Sequence, residues 1–236
     1  MLKVKLSRYA VEMSIQCQRC FYLHYKHKIR MDSFPFTLNM AVDNLVKNEF
    51  DIYRREKKPH PLFKEIGIDA VPFNHPNMDK WRNNFQGAYF DDDEKGYSFG
   101  GAVDDLWLQS NGKLIVSDVK ATAKTNFNWE ETCEKYEYPK AYKRQIEMYQ
   151  FVFRRLGFEV DDVGFLLYFN GLRNNAFFEH KLLFDHHLIK LNCCDDWVEE
   201  AILNARKLLL NDELPPSSDS CDKCNYLKAR WNLSKQ

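Results

Sequence analysis

The chain has 236 residues, with 34 Lys and Arg against 34 Asp and Glu, so its formal net charge is zero. Neutrality excludes a protein that coats nucleic acid by bulk attraction, but not one with a locally basic groove. A composition 44% hydrophobic and 15% aromatic excludes a disordered or fibrous chain. No run approaches the roughly 20 apolar residues that cross a bilayer, and the opening residues lack the apolar core of a secretory signal. The expectation is a soluble, cytoplasmic protein with no membrane partner.

Ser7 is placed to cap a short first helix, which leads into Cys17-Gln18-Arg19-Cys20. After Pro35, residues 37–57 read as a long helix with Thr37 as its cap. Along it Val42, Leu45, Val46, Glu49, Ile52 and Tyr53 recur at helical spacing. Residues 59–96, rich in Pro, Asn and Asp, read as loops and short elements. Residues 97–108 are strand-like, and a second apolar run follows Ser110-Asn111-Gly112-Lys113. Asn-Gly between two apolar runs predicts a hairpin. A helix runs from Pro139 to about Leu156, ended by Gly157. Strands are expected over 163–169 and 177–184, pairing across Asn170-Gly171, then a helix over 195–210. This order predicts an α/β fold with one mixed sheet flanked by helices.

The hairpin holds the chemical signal. Asp118 and Lys120 are two apart on a strand, so both side chains leave one face. A two-residue turn would set Asp105 opposite Asp118, whereas a three-residue turn or a bulge would set Asp104 there. Either way two carboxylates and a lysine converge. Crowded carboxylates repel unless a cation joins them, and hard oxygen ligands suit Mg²⁺ or Mn²⁺. Such an ion polarises a phosphoryl oxygen and activates water, which points to phosphodiester hydrolysis. Gln145 and Tyr149, four apart, share one helix face and can position the lysine, a water or a phosphate. Lys140, Lys143 and Arg144 on that helix are candidate DNA-backbone contacts.

Gly101-Ala102-Val103-Asp104, then Ser117-Asp118-Val119-Lys120-Ala121-Thr122, then Gln145 and Tyr149, resemble the PD-(D/E)XK nuclease superfamily. The chain is most similar to its RecB-like branch, which includes the iron–sulfur nucleases of CRISPR adaptation. The resemblance implies a restriction-endonuclease-like core over about 37–190, in a single domain over 1–236 with Cys-bearing ends at 1–30 and 211–236. It implies Asp104, Asp118 and the Val119 carbonyl as metal ligands, and Lys120 as the catalytic lysine. It thereby favours Asp104 over Asp105, and the bulged or longer turn over the tight one. Relatives often carry a His on the long N-terminal helix, and Asp43 stands in the matching place here. Glu49, set within the apolar stripe, is an equal candidate for that first acidic ligand, because a buried carboxylate needs a partner. The implied function is a metal-dependent deoxyribonuclease, an exonuclease rather than a site-specific endonuclease. Its substrate would be single-stranded DNA or DNA ends in repair, recombination or defence, with protein partners of such a complex. The alternative is a catalytically silent nucleic-acid or partner-binding module on the same fold.

Of seven cysteines, Cys17 and Cys20 form one CxxC pair and Cys221 and Cys224 another. Two such pairs can close a tetrahedral zinc site or hold a cubane cluster, tying the ends together. The resemblance implies a 4Fe-4S cluster, with Zn²⁺ as the alternative. Relatives use one N-terminal and three C-terminal cysteines, and here Cys20 would replace the third C-terminal one. A redox or zinc protein with the cysteines as its working end is a third reading. Cys133, Cys193 and Cys194 read as small buried residues, and the five Trp as packing. Basic residues cluster at 19–30, 54–58 and 140–144 and are candidates to line a groove; those around His24 and His27 read as a surface facing DNA.

Overall fold

The computed structural model describes residues 2–30 and 35–235; Met1, from which the reading of the opening segment starts, lies outside them, as do 31–34 and 236. In chain order the elements are β1 Val4–Ser7, α1 Arg8–Gln16, α2 Gln18–Tyr25, α3 Thr37–Glu56 and α4 Pro61–Glu65. They continue with β2 Ala70–Pro72, α5 Met78–Arg82, β3 Ala88–Asp92, β4 Tyr97–Gly101, β5 Asp105–Gln109 and β6 Leu114–Thr122. The last are α6 Trp129–Lys135, α7 Tyr138–Arg155, β7 Val160–Gly171, β8 Phe184–Asn192, α8 Val198–Leu210 and α9 Asp222–Leu233. Two compact units divide the chain.

The larger unit, residues 34–89 and 101–195, is built on a five-stranded sheet in the order β2-β5-β6-β7-β8. Only β6 and β7 run parallel; the other pairs are antiparallel. The sheet is therefore mixed, and α6 and α7 supply the crossover that a parallel pair requires. Side chains alternate across the strands. On one face Ile115, Phe165 and Leu167 pack with Val42, Val46 and Phe50 of α3, around a fully buried Trp107. The other face receives α7. There Gly164 makes room: a Cβ on it would come within 2.3 Å of Ile146 Cγ2.

The smaller unit, residues 1–33, 90–100 and 196–236, carries the sheet β1-β4-β3 with β1 and β4 parallel. Ser7 caps α1 by accepting from Ala10 N at 3.1 Å, as its position predicts. Cys17 ends α1 and begins α2, and Cys221 begins α9.

Several local expectations are corrected. Thr37 does not cap α3 but starts it; the capping position belongs to Phe36. The buried stripe of α3 is Val42, Val46, Phe50 and Arg54, whereas Leu45, Glu49 and Ile52 face outward. Spacing admitted both faces, and the sheet selects the one with Phe50. The strand-like run over 97–108 is broken at 102–104, where Val103 N bonds Trp81 O, so β4 and β5 join different sheets. The expected strand over 177–184 begins instead at Phe184, with Phe177 and Phe178 exposed in the preceding loop. Cys133 and Cys194 are exposed rather than buried, and so is Trp231.

Candidate active site and four-cysteine cluster

The β5–β6 turn decides which aspartate meets Asp118. Asp105 pairs with Ser117 and Leu108 with Leu114, a register that closes on the three-residue turn Ser110-Asn111-Gly112. Gly112, at φ +85°, adopts the left-handed conformation that this turn requires. By the same register Asp104, one residue before β5, stands across from Asp118. Asp105 turns to the other side, where Arg54 Nη2 lies 2.7 Å from both its carboxylate oxygens. Asp51 in turn holds Arg54 and Arg82, each at 2.9 Å. Arg54 is thus buried in a charge network and leaves the basic cluster at 54–58.

Asp104 Oδ2 accepts from Val119 N at 2.9 Å, which stitches the residue before β5 to the middle of β6. Its Oδ1 accepts from Lys47 Nζ at 2.9 Å, and Lys47 also reaches Asp43 Oδ2 at 2.8 Å. Asp43 and Lys47 are four apart on α3, so one ammonium bridges a helix carboxylate and a sheet carboxylate. Asp118, 1% exposed, contacts the Lys120 ammonium through Oδ2. Its Oδ1 accepts from Gln145 Nε2 at 2.5 Å. Lys120 Nζ donates to Gln145 Oε1 at 3.3 Å and sits 4.6 Å above the ring of Tyr142. Tyr149 OH donates to the Ala102 carbonyl, fixing the backbone just before Asp104.

Electrostatics follow from burial and from this pairing. Burial pushes the Asp118 carboxyl up to about 7, with Asp104 adding to the rise and Lys120 opposing it. Burial also acts on Asp104, but Lys47 and Lys120 outweigh it and hold that carboxyl below its ordinary value. Asp43 is raised by burial and by Asp104. Both lysines stay charged: burial works against them, but their aspartate partners raise them.

In the smaller unit, the Cys17, Cys20, Cys221 and Cys224 sulfurs all lie within 4.8 Å of one another. Cys17 and Cys224 are 3.8 Å apart, and Cys20 is 3.6 Å from both Cys221 and Cys224. The two pairs are built alike. In each, the first cysteine is the residue preceding a helix and the second lies in its first turn, so the positive ends of α2 and α9 meet at the sulfurs. Burial opposes ionisation of Cys17, but N–H groups of Cys20 and Ser218 and the adjacent thiols bring it down to about 7.

The family model of the PD-(D/E)XK nuclease superfamily matches residues 37–229. The chain belongs to that superfamily. Its function is therefore of nuclease type, and binding of nucleic acid comes with it. Among solved structures, it is similar to SSO0001 at 14% identity and a TM-score of 0.39, covering 90% of this chain and 79% of that one. It is also similar to a Eubacterium rectale protein named "Putative exonuclease", at 13% identity and a TM-score of 0.46, covering 94% of this chain and 87% of that one. No curated protein matches the chain in sequence. No helix among the described residues is long and apolar enough to cross a membrane.

Nucleases of this superfamily generally use divalent metals, and the residues present fit one. The donors are all oxygens, the set preferred by hard cations. Asp43 Oδ1 is buried and has no hydrogen-bond partner among the described residues, while its Oδ2 shares the Lys47 ammonium with Asp104, so this carboxylate keeps an acceptor oxygen unused beside the other acid. Of the residues singled out from sequence, the structure brings together Asp43, Asp104, Asp118, Val119, Lys120, Gln145 and Tyr149. Glu49 is not brought to them. It is 59% exposed and faces His60 Nε2 at 3.3 Å; six residues beyond Asp43 it lies on a different side of α3. On α7, Lys140 pairs with Glu137 at 2.9 Å and Lys143 with Glu147 at 3.7 Å, while Arg144 is half-buried. Two residues of the cluster escaped the sequence reading, Lys47 and Tyr142. Each had a signal in its spacing, Lys47 one turn after Asp43 and Tyr142 one turn before Gln145.

Proposed function

We propose that the chain is a RecB-like deoxyribonuclease that uses Mg²⁺ or Mn²⁺ to hydrolyse phosphodiester bonds at DNA ends or in single strands, in repair, recombination or defence. One observation carries this reading: Asp104, Asp118 and Lys120 converge across adjoining strands, with Asp43 reaching the same cluster from α3. Asp104, Asp118 and the Val119 carbonyl would hold the ion, with Asp43 rather than Glu49 completing the oxygen set. When bound, such an ion polarises a phosphoryl oxygen and lowers the pKa of a water.

The remaining work falls to the chain's own side chains. Lys120, steadied by Gln145 and by the face of Tyr142, presents an ammonium where negative charge develops on the phosphoryl oxygens. Gln145 grips Asp118 and Lys120 together, so acid and lysine share one frame set by α7. Tyr149 holds the Ala102 carbonyl and with it the turn that delivers Asp104. Lys140 and Lys143 then exchange carboxylate partners for backbone phosphates of the strand, and Arg144 beside them adds a further phosphate contact.

The test is an assay on single-stranded, duplex, flapped and circular DNA with Mg²⁺ or Mn²⁺, with Lys120→Ala alongside. Cleavage of linear and single-stranded substrates, circular duplex spared, and loss of at least ~100-fold in the variant are expected. Metal-dependent cleavage that persists in a folded Lys120→Ala protein would remove Lys120 from the mechanism. A second reading, a silent binding module, is favoured by one observation: the Lys47 ammonium already bridges Asp43 and Asp104. Tight DNA binding without cleavage of any substrate would select it.

A further inference from the structure

We propose that Cys17, Cys20, Cys221 and Cys224 hold one zinc ion as a tetrathiolate, not a sulfide-bridged iron cluster, and that this ion is what fastens α9 to the rest of its unit. The first support is the sulfur spacing. Four thiolates around one zinc, each about 2.3 Å from it at tetrahedral angles, are separated by about 3.8 Å. Three of the six separations are 3.6, 3.6 and 3.8 Å, and the other three lie within 4.8 Å. In a cubane each thiolate holds a different iron and points outward from the cluster, which sets the sulfurs roughly 6 Å apart. The four cysteines lie too close for that body and fit a single ion. A tetrahedral all-sulfur set with no open position is also the arrangement of structural zinc.

The second support is the poverty of other contacts. Within α9, Asp222–Leu233, Cys224 is the one buried residue. Tyr226, Leu227, Trp231 and Leu233 are all more than half exposed. Where apolar packing against α1 and α2 would be expected, a cavity of about 630 Å³ lies between Tyr9, Met13 and Leu23 on one side and Leu227 and Trp231 on the other. A twelve-residue helix with one buried side chain is marginal in water. Among the described residues its attachment therefore rests on the cysteines, and the ion's binding energy becomes folding energy for this segment. On binding, the thiols release their protons to solvent and become ligands, with no change of oxidation state.

Both parts are read without substrate, so they stand or fall separately from the nuclease assignment. The whole chain is purified without oxygen from iron-supplemented cells and assayed for zinc, iron and acid-labile sulfide. One zinc per chain with neither iron nor sulfide is expected. Stoichiometric iron, with or without sulfide, or absence of bound metal would overturn the zinc assignment. Cys20→Ser and Cys224→Ser should lose the zinc while Cys133→Ser retains it; retention in Cys224→Ser would equally overturn it. For α9, trypsin cleavage at Lys228 and Arg230 is followed before and after removal of zinc by a chelator. An increase of at least tenfold, reversed by added Zn²⁺, is expected. An unchanged cleavage rate would show that α9 is held by something other than the ion.

Discussion

Lys47 Nζ stands 2.9 Å from Asp104 Oδ1, so the carboxylate proposed to bind a divalent ion already has a cation of its own. The same ammonium reaches Asp43 at 2.8 Å. A lysine in that position stabilises the empty cluster and competes with the metal. Lys47→Ala should therefore lower the stability of the metal-free protein by roughly 2 kcal/mol, below the buried-pair range because solvent reaches both side chains. It should also make Mn²⁺ protect the fold more strongly than it protects the wild type. Melting curves with and without Mn²⁺ read both effects. Equal Mn²⁺ protection in the two proteins would show that Lys47 and the ion do not compete.

Arg54 and Asp105 form the neighbouring pair, and their role is structural. Burial raises the Asp105 carboxyl, and Arg54 works against that rise. Removing the guanidinium leaves a buried carboxylate with its main partner gone. Arg54→Met should cost about 3–5 kcal/mol by denaturant unfolding. Arg54→Met with Asp105→Leu should recover most of that loss, since an apolar pair of similar volume replaces a buried ion pair with little net penalty. A double variant no better than the single would mean that the pair contributes more than charge compensation.

These two pairs show what was legible in the sequence. Two-residue alternation placed Asp118 and Lys120 on one face, and the structure keeps them there. The choice between Asp104 and Asp105 hung on turn length, which Asn-Gly alone does not determine because Ser110 can join the turn. Glu49 attracted attention because six residues shared a helical period, yet that period described two overlapping faces. Only packing of Phe50 against Trp107 selects between them. Nothing in the sequence singles out Lys47, and Arg54 reads as part of a basic cluster that is a candidate to line a groove, because a sequence does not say which carboxylate will be folded against them. The two CxxC pairs were legible as a metal site, but telling one ion from a cluster needs sulfur separations, and spacing along the chain does not carry those.

Gly164 gives α7 its place. Because a Cβ there would lie 2.3 Å from Ile146 Cγ2, Gly164→Ala must push α7 away from the sheet. The expected loss is about 1–3 kcal/mol. Gln145 precedes Ile146, so the displacement should also loosen the Gln145 contacts to Asp118 and Lys120. Gly164→Ala should then lower kcat more than KM, and Ile146→Val in the same chain should restore part of both stability and kcat. If stability falls and kcat holds, the helix position is not what sets the Lys120 geometry.

His60 supplies the pH dependence. Its ring is 2% exposed and stacks on Phe50 with centroids 4.1 Å apart. Nδ1 accepts from Leu62 N at 3.3 Å and so caps α4 in the unprotonated form. Burial lowers its pKa from 6.5, and Glu49 only partly opposes this. The folded chain therefore binds a proton less readily than the unfolded chain, and stability rises with pH across the interval. The His60 contribution is fully present above about 6.5 and is lost as pH falls toward the depressed folded value. Denaturant unfolding from pH 7.5 down to 5 should show that loss in the wild type. His60→Asn keeps a side chain suited to the capping position and does not titrate, so its stability should change less over the same interval. Parallel curves for the two proteins would assign the acid sensitivity to other groups.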